Sequence, residues 1–355
     1  MSAILLYCRA GFERECAQEV TALAQSRGIE GFVKAKPQSG FAAFASRDPE
    51  AGARLGSAVD LADLIFARQV VRDATLLQGL PTGDRAGALA EQARAFGTRF
   101  QGLVLESPDT NDGKALAALI KPLTPHLRRA LAKRDIDCED GAAPDRLHFF
   151  FVGSSAAYVG RADAGRSSPW PMGIPRLKLP RAAPSRSTLK LAEAFLAFLG
   201  PGGIERDLRP GMTAVDLGSS PGGWTWQLAR HGLSVIAVDN GPMDAGVLDS
   251  GLVRHVRADG FRFRPESPVD WMTCDIVESP SRVATLAAQW MAEGLCRRCI
   301  FNLKLPMKKR WEEVRRCAGI VHEALAGRRH ALRIRQLYHD REEVTAFLAA
   351  PGQSR

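Results

Sequence analysis

Four charged residues in the second half of the chain have types and positions that could support proton transfer. Lys190 lies on a helix before the first strand of a predicted parallel sheet, and Asp275 and Lys304 end its fourth and fifth strands. Glu343 opens the last strand, so all four side chains could project to the carboxyl edge of the sheet, where such sheets bind ligands. With a neighbouring cation and partial burial lowering its pKa, one lysine could serve as a general base toward a hydroxyl of high pKa.

We assign Lys304 as that base. It interrupts the apolar run Phe-Asn-Leu-Lys-Leu-Pro at residues 301–306, where a merely solvated lysine is out of place. Lys190 and Glu343, taken singly, would be ordinary charges on a helix surface and a hairpin, so the assignment depends on all four residues together. Glu342 is adjacent to Glu343, and we choose Glu343 because it directly precedes the alternating Val-Thr-Ala-Phe strand.

A glycine-rich turn between a strand and a helix predicts the cofactor site. The sequence Val-Asp-Leu-Gly-Ser-Ser-Pro-Gly-Gly-Trp at residues 215–224 has three glycines that let the backbone approach a ligand closely. The turn does not match GxGxxG, so a pyrophosphate is disfavoured and a cofactor with a sulfonium and a carboxylate is favoured. Asp216, Asp239 and Asp259 occupy three successive strand ends; we expect Asp239 to bind ribose hydroxyls and Asp259 to reach an adenine edge.

The elements that must position these residues alternate between strand and helix from residue 185 onward. Apolar strands separated by amphipathic helices predict a doubly wound parallel α/β sheet over residues 185–355. The last two predicted strands are joined by a short turn, which requires the final strand to run antiparallel. That ending is typical of a methyltransferase sheet and not of a nicotinamide-binding one.

The first half of the chain has no cluster of residues suited to catalysis. A βαββαβ rhythm over residues 1–80, with a helix expected at 59–67, predicts a ferredoxin-like α+β unit, and residues 81–164 form a second unit. Five prolines between residues 165 and 184 exclude a helix there and predict a basic linker. We therefore expect a binding module followed by a catalytic domain.

Composition narrows the class of protein. The 355 residues carry a formal charge of +9, and thirteen basic residues against four acidic ones lie between Arg297 and Arg341, as an RNA-binding surface requires. No apolar run is long enough for a membrane helix or a secretory signal, and seven irregularly spaced cysteines indicate reduced thiols. We expect a cytoplasmic monomer without a membrane contact. The single CxxC, from Cys296 to Cys299, has no second pair, so no metal site is predicted.

Four segments closely resemble the RlmM family, ribosomal RNA large subunit methyltransferase M, and the likeness extends over nearly the whole chain. They are residues 185–190, 216–224, 301–306 and 336–344. The resemblance implies a Rossmann-like class I methyltransferase domain of the FtsJ type, preceded by a ferredoxin-like and THUMP RNA-binding module.

The same resemblance implies the reaction and its residues. It implies 2'-O-methylation of one cytidine in the peptidyl-transferase region of 23S ribosomal RNA, naked or in an assembling subunit, with S-adenosylmethionine as cofactor. Lys190, Asp275, Lys304 and Glu343 would be its Lys-Asp-Lys-Glu tetrad. The implied cofactor contacts are Ser187, Ser220, Pro221, Gly222, Gly223, Asp239, Asp259 and Asp275.

The sequence leaves open three alternatives to a ribosomal RNA ribose methyltransferase. A tRNA or RNA-base methyltransferase is one, because THUMP-like modules also serve tRNA enzymes; however, Asp275 is not followed by Pro-Pro-aromatic and the chain has no Pro-Cys dipeptide. A non-catalytic RNA-binding assembly factor would not need both lysines. A nicotinamide oxidoreductase is opposed by the missing GxGxxG and by the terminal hairpin.

Overall fold

The computed structural model describes residues 3–350, which divide into two compact units. The first unit ends at Pro175 and the second begins at Arg176. The division therefore falls within the proline-rich segment 165–184.

The first unit contains one sheet with helices packed against it. Its elements are β1 (Ala3–Cys8), α1 (Glu13–Gln25), β2 (Gly31–Ala35), β3 (Phe41–Ser46), α2 (Pro49–Ala58), β4 (Ala67–Gln78), α3 (Arg85–Ala93), β5 (Gly102–Glu106), α4 (Asn111–Ala132), β6 (Asp145–Gly153) and β7 (Ala156–Asp163). The strand order is β2-β3-β1-β4-β7-β6-β5, and only β5 and β6 pair in parallel. The ferredoxin-like order βαββαβ is confirmed over β1 to β4.

The predicted helix at 59–67 is wrong. Helix α2 comes earlier, with Pro49 in its first turn and the Asp48 side chain capping it by accepting the Glu50 N–H. Residues 59–66 form a loop with one short 3-10 turn over Leu61–Asp63. Val59, Leu61, Leu64 and Phe66 are buried in this loop, and their spacing in the sequence resembles that of a helix with one apolar side.

The proline-rich segment begins as part of the first unit. The Arg166 carbonyl accepts the Leu61 N–H, and the Gln69 side chain donates to the Ser168 carbonyl at 2.9 Å. The Met172 N–H donates to the Glu106 carboxylate at 2.7 Å. A proline-rich segment cannot pair its backbone within a helix or strand. Here its backbone groups instead hydrogen-bond to side chains and a loop of the first unit.

The second unit is the doubly wound α/β sheet that the sequence predicts. Its elements are α5 (Thr188–Asp207), β8 (Thr213–Leu217), α6 (Gly223–Arg230), β9 (Ser234–Val238), α7 (Ala245–Leu248), β10 (Val253–Val256), β11 (Val269–Cys274), α8 (Pro280–Ala292), β12 (Cys296–Lys304), α9 (Arg310–Ala324), β13 (Ala331–Arg335) and β14 (Glu343–Ala349). The order is β10-β9-β8-β11-β12-β14-β13, parallel up to β12. The antiparallel final strand is confirmed, and β14 inserts between β12 and β13.

Burial on both faces explains why the central strands are almost entirely apolar. Trp271 of β11, Phe301 of β12 and Phe347 of β14 are fully buried, and Phe347 stacks against Phe198 of α5 with ring centroids 5.7 Å apart. Within residues 3–350, no helix has both the length and the apolar character needed to cross a membrane.

We expect Phe347→Ala to destabilise the second unit by about 3–5 kcal/mol, because the change removes a fully buried ring and leaves a cavity. Urea unfolding monitored by tryptophan fluorescence measures the loss. Val277→Ala, at a position 87% exposed, is the control and should change stability by less than about 0.5 kcal/mol. An equally small effect of Phe347→Ala would contradict this description of the core.

Candidate active site

The sheet topology brings the four predicted charged residues to one edge. Asp275 directly follows β11, and Lys304 ends the neighbouring parallel strand β12. Because β14 is antiparallel to β12, its first residue lies at the same edge, and Glu343 pairs in register with Lys304. Lys190 reaches this edge from the first turn of α5.

The two lysines and two carboxylates form a closed set of contacts. Lys304 Nζ contacts Asp275 Oδ1 and lies 2.5 Å from Glu343 Oε2. Lys190 Nζ contacts Glu343 Oε1 and lies 3.6 Å from Asp275 Oδ2. Each carboxylate therefore faces both ammonium groups with separate oxygens, which fixes the position of both lysine nitrogens.

The electrostatics of this cluster differ from the expectation that burial and a neighbouring cation lower the lysine pKa. Burial disfavours the Lys304 ammonium, but the charges and hydrogen bonds of Asp275 and Glu343 outweigh it, and the pKa of Lys304 is raised. Burial likewise opposes ionisation of Glu343, yet Lys304 and Lys190 hold the pKa of Glu343 below its ordinary value. Lys304 is thus held as an ammonium in this state.

The two adjacent glutamates separate clearly in the structure. Glu343 is buried and contacts both lysines, whereas the Glu342 side chain is 61% exposed and pairs with Arg310. The Glu342 carbonyl accepts the Leu305 N–H at 2.7 Å, which extends the pairing of the two chain segments beyond the strands.

The loop before β14 is held by a residue that the sequence analysis did not select. Glu193 lies one helical turn after Lys190 on α5 and accepts the Tyr338 and His339 N–H groups at 2.8 and 2.9 Å. The His339 ring contacts the same carboxylate at 2.6 Å. One helix therefore positions both Lys190 and the loop that precedes Glu343. In the sequence, Glu193 could be noticed through its spacing of three residues from Lys190, which places both on one side of a helix.

The glycine-rich turn follows β8 at the same edge of the sheet. Gly218 has φ +76°, and a Cβ there would lie 2.7 Å from a side-chain carbon of Ile276, next to Asp275. A Cβ on Gly223 would lie 2.1 Å from the Ser187 hydroxyl, which itself hydrogen-bonds with Ser185. Glycine is therefore required at both positions because the turn packs closely against Ile276 and against the segment before α5.

The predicted cofactor carboxylates occupy different environments. Asp239 directly follows β9 and accepts the Ser220 N–H at 3.1 Å and the Gly241 N–H at 2.7 Å, which fixes it beside the turn. Asp259 is exposed, lies three residues beyond the end of β10 and accepts the Phe261 N–H at 2.9 Å. Both side chains remain accessible at the carboxyl edge.

Asp216 differs from the other two acids that the sequence places at strand ends. It is buried within β8 and accepts hydrogen bonds from Thr225 at 2.6 Å and Thr273 at 2.8 Å. Burial raises the pKa of Asp216 to about 7, although both threonines oppose the shift. This side chain connects the helix after the turn to β11 inside the sheet.

Among residues 3–350, no group of three or more His, Cys, Asp or Glu side chains is arranged to hold a metal ion. Cys296 and Cys299 are buried, and their sulfur atoms lie 3.2 Å apart.

Three family models match consecutive parts of the chain. The RlmM ferredoxin-like domain matches residues 1–71, the N-terminal model of ribosomal RNA large subunit methyltransferase M matches 84–163, and the FtsJ-like methyltransferase matches 183–317. A protein of Methylococcus capsulatus named ribosomal RNA large subunit methyltransferase M is 52% identical over 98% of both chains.

The chain belongs to the ribosomal RNA large subunit methyltransferase M family. Two further members with the same name are similar over almost their full length. The Cellvibrio japonicus protein is 48% identical over 98% of this chain and 99% of its own, and the Azoarcus protein is 47% identical over 98% and 96%. The resemblance and the Rossmann-like methyltransferase fold predicted from the sequence are confirmed.

We expect Gly218→Ala to destabilise the glycine-rich turn more than the same change at Gly211 destabilises its own turn. Both residues have positive φ, but a Cβ at Gly211 meets nothing within 4 Å, whereas one at Gly218 collides with Ile276. Gly211→Ala should cost only the backbone strain of about 1–2 kcal/mol, and Gly218→Ala about 1–3 kcal/mol more from overpacking.

Urea unfolding measures this difference, and calorimetric titration with S-adenosylhomocysteine measures the effect on ligand binding. Binding should weaken in Gly218→Ala and stay unchanged in Gly211→Ala. Equal effects of the two substitutions would show that the close contact at Gly218 has no role.

Proposed function

We propose that this chain transfers a methyl group from S-adenosylmethionine to the 2'-hydroxyl of a cytidine in the peptidyl-transferase region of 23S ribosomal RNA. The observation that carries the proposal is the contact of Lys304 with two carboxylates beside the glycine-rich turn. The names of the family and of its members support the ribosomal substrate.

The residues around the turn fit S-adenosylmethionine. The glycines at residues 218, 222 and 223 keep the turn free of side chains at the carboxyl edge of the sheet, and the fixed carboxylate of Asp239 suits ribose hydroxyls. The proposed contacts are Ser187, Ser220, Pro221, Gly222, Gly223, Asp239, Asp259 and Asp275. When bound, the cofactor supplies an electrophilic methyl group on a positively charged sulfonium.

Lys304 is the proposed general base. As a free amine it would accept the proton of the ribose hydroxyl, which makes the oxygen a stronger nucleophile. Asp275 and Glu343 then stabilise the ammonium that forms, and their contacts orient its nitrogen. Lys190 balances the second negative charge, so that the two acids do not repel each other.

The parts of the chain have separate proposed roles. Residues 1–80 and 81–164 are proposed to bind RNA, and residues 165–184 to connect them to the catalytic part. Residues 185–355 are proposed to carry out methyl transfer. The whole protein is proposed to act in the cytoplasm as a monomer. The net charge of +9 and the basic run from Arg297 to Arg341 support an RNA partner.

Removal of the base should separate chemistry from binding. We expect Lys304→Ala to lower kcat by about 10²–10⁴-fold, because a positioned base typically contributes that much. Methyl transfer from labelled S-adenosylmethionine to 23S rRNA that lacks the modification measures the rate, and S-adenosylhomocysteine affinity shows whether the cofactor site is intact. Retention of wild-type kcat in Lys304→Ala would rule out this assignment.

The pH dependence offers a second test of Lys304. The amine form increases as pH rises through the pKa, so the rate should rise with pH on that limb. Glu343→Gln removes a negative charge that raises the pKa of Lys304, so the limb should move to lower pH while the plateau rate falls. Glu342→Gln, at the exposed neighbour, is the matched control and should leave the profile unchanged. A shift to higher pH in Glu343→Gln would contradict the proposal.

A further inference from the structure

A line of buried polar side chains leads from the loop before β14 to Asp275. Asp340, Thr345 and Asn302 are each no more than 1% exposed. Thr345 Oγ1 lies 2.8 Å from Asn302 Oδ1 and 3.0 Å from the nearer oxygen of Asp340. Asn302 Nδ2 lies 3.0 Å from Asp275 Oδ1. The line therefore ends on a carboxylate that faces both lysines of the tetrad.

The direction of each hydrogen bond follows from the number of donors. Asp275 is paired as a carboxylate with two ammonium groups and has no hydrogen to donate, so Asn302 must turn its N–H and not its carbonyl oxygen toward it. The Asn302 carbonyl oxygen then faces Thr345, whose hydroxyl must donate to it, since a buried oxygen without a donor is unfavourable.

That assignment requires a proton on Asp340. The Thr345 hydroxyl has one hydrogen and has given it to Asn302, so the Thr345 oxygen can only accept from Asp340. Leu337 N–H donates to Asp340 Oδ2 at 3.0 Å, and Asp340 Oδ1 lies 3.2 Å from Thr345 Oγ1, where an acid proton would point at the threonine oxygen. The surroundings agree: burial, reinforced by the charge of Glu343, raises the pKa of Asp340 well above its ordinary value.

We propose that Asp340 is a neutral carboxylic acid, and that Asp340, Thr345 and Asn302 form a one-directional chain of hydrogen bonds that positions Asp275. The inference rests on the proposed function, because it assigns these three as positioning residues for the same site. The chain holds Asp275 Oδ1 against Lys304 and leaves Oδ2 toward Lys190.

A neutral Asp340 also fits the charge balance of the tetrad. Two ammonium groups and two carboxylates sum to zero, and Glu343, Glu193 and Lys190 are among the charged groups that act on Asp340. A third negative charge would hold the proton on Lys304 more tightly and would oppose its role as a base. An uncharged chain of hydrogen bonds orients Asp275 without raising the pKa of Lys304 further.

Substitutions that keep or remove single hydrogens test the chain. Thr345→Val keeps the shape but removes the hydroxyl, and should lower kcat on the order of ten-fold without changing KM for S-adenosylmethionine. Thr345→Ser should restore most of the rate. Asp340→Ala should match Thr345→Val, whereas Asp340→Asn, whose amide can donate as the neutral acid does, should recover most of that loss.

Controls and non-additivity separate this role from a general structural one. Thr285→Val removes an exposed hydroxyl on α8 and should leave kcat unchanged. The double variant Asp340→Ala with Thr345→Val should be no slower than either single variant, because one chain is broken in each. Unchanged kcat in Thr345→Val, or equal losses in Asp340→Asn and Asp340→Ala, would overturn the proposal.

Infrared spectroscopy gives a readout that does not depend on activity or on the stability of the valine variant. The wild-type protein at neutral pH should show a carboxylic-acid carbonyl band that disappears in Asp340→Asn. Absence of a band that depends on Asp340 would overturn the neutral-acid assignment. A wild type that shows the band but does not methylate RNA would instead refute the proposed function and leave the proton assignment standing.

Discussion

Mutual neutralisation of two lysines by two carboxylates is the interaction on which the site depends. Lys304, Lys190, Asp275 and Glu343 are all largely buried, and an unpaired charge at such a depth would be costly. The topology makes the pairing possible, because the final strand lies antiparallel beside β12 and so brings Glu343 to the carboxyl edge of the parallel strands. The arrangement of the charged site therefore depends directly on the strand order.

The same neutralisation sets the central difficulty of the proposed reaction. Two carboxylates that stabilise the Lys304 ammonium also resist the loss of its proton. The site stabilises the ammonium form of Lys304, which is the product of proton transfer, relative to the free amine that must accept the proton. Any additional negative charge nearby would worsen that balance, which gives the uncharged contacts around Asp275 their importance.

The sequence predicted the second unit almost completely, because its signals are local. Apolar strands of the expected length, a glycine-rich turn and a closing strand pair define a Rossmann-like sheet, and β8 and β14 begin and end at the predicted residues. The ends of strands and the helix before β8 also pointed to the four charged residues that the structure brings into contact. The first unit was harder, because buried loop residues such as Leu61, Leu64 and Phe66 imitate a helical pattern.

Contacts between distant segments could not be predicted. Asp216 has the sequence context of a ligand-binding acid, and only the packing of Thr225 and Thr273 against it shows that it is internal. The sequence gives no reason to connect Asn302, Thr345 and Asp340, since their contacts arise from the pairing of β12 with β14. The direction of the Lys304 pKa shift likewise depends on distances that spacing along the chain does not contain.

Nucleoside analysis of the methylated product tests the central claim most directly. Wild-type protein would be incubated with labelled S-adenosylmethionine and 23S rRNA lacking the modification, and the RNA would be digested to nucleosides and separated by mass. The account predicts that all label appears in 2'-O-methylcytidine. Label in a base-methylated nucleoside, or transfer to tRNA and not to 23S rRNA, would contradict it.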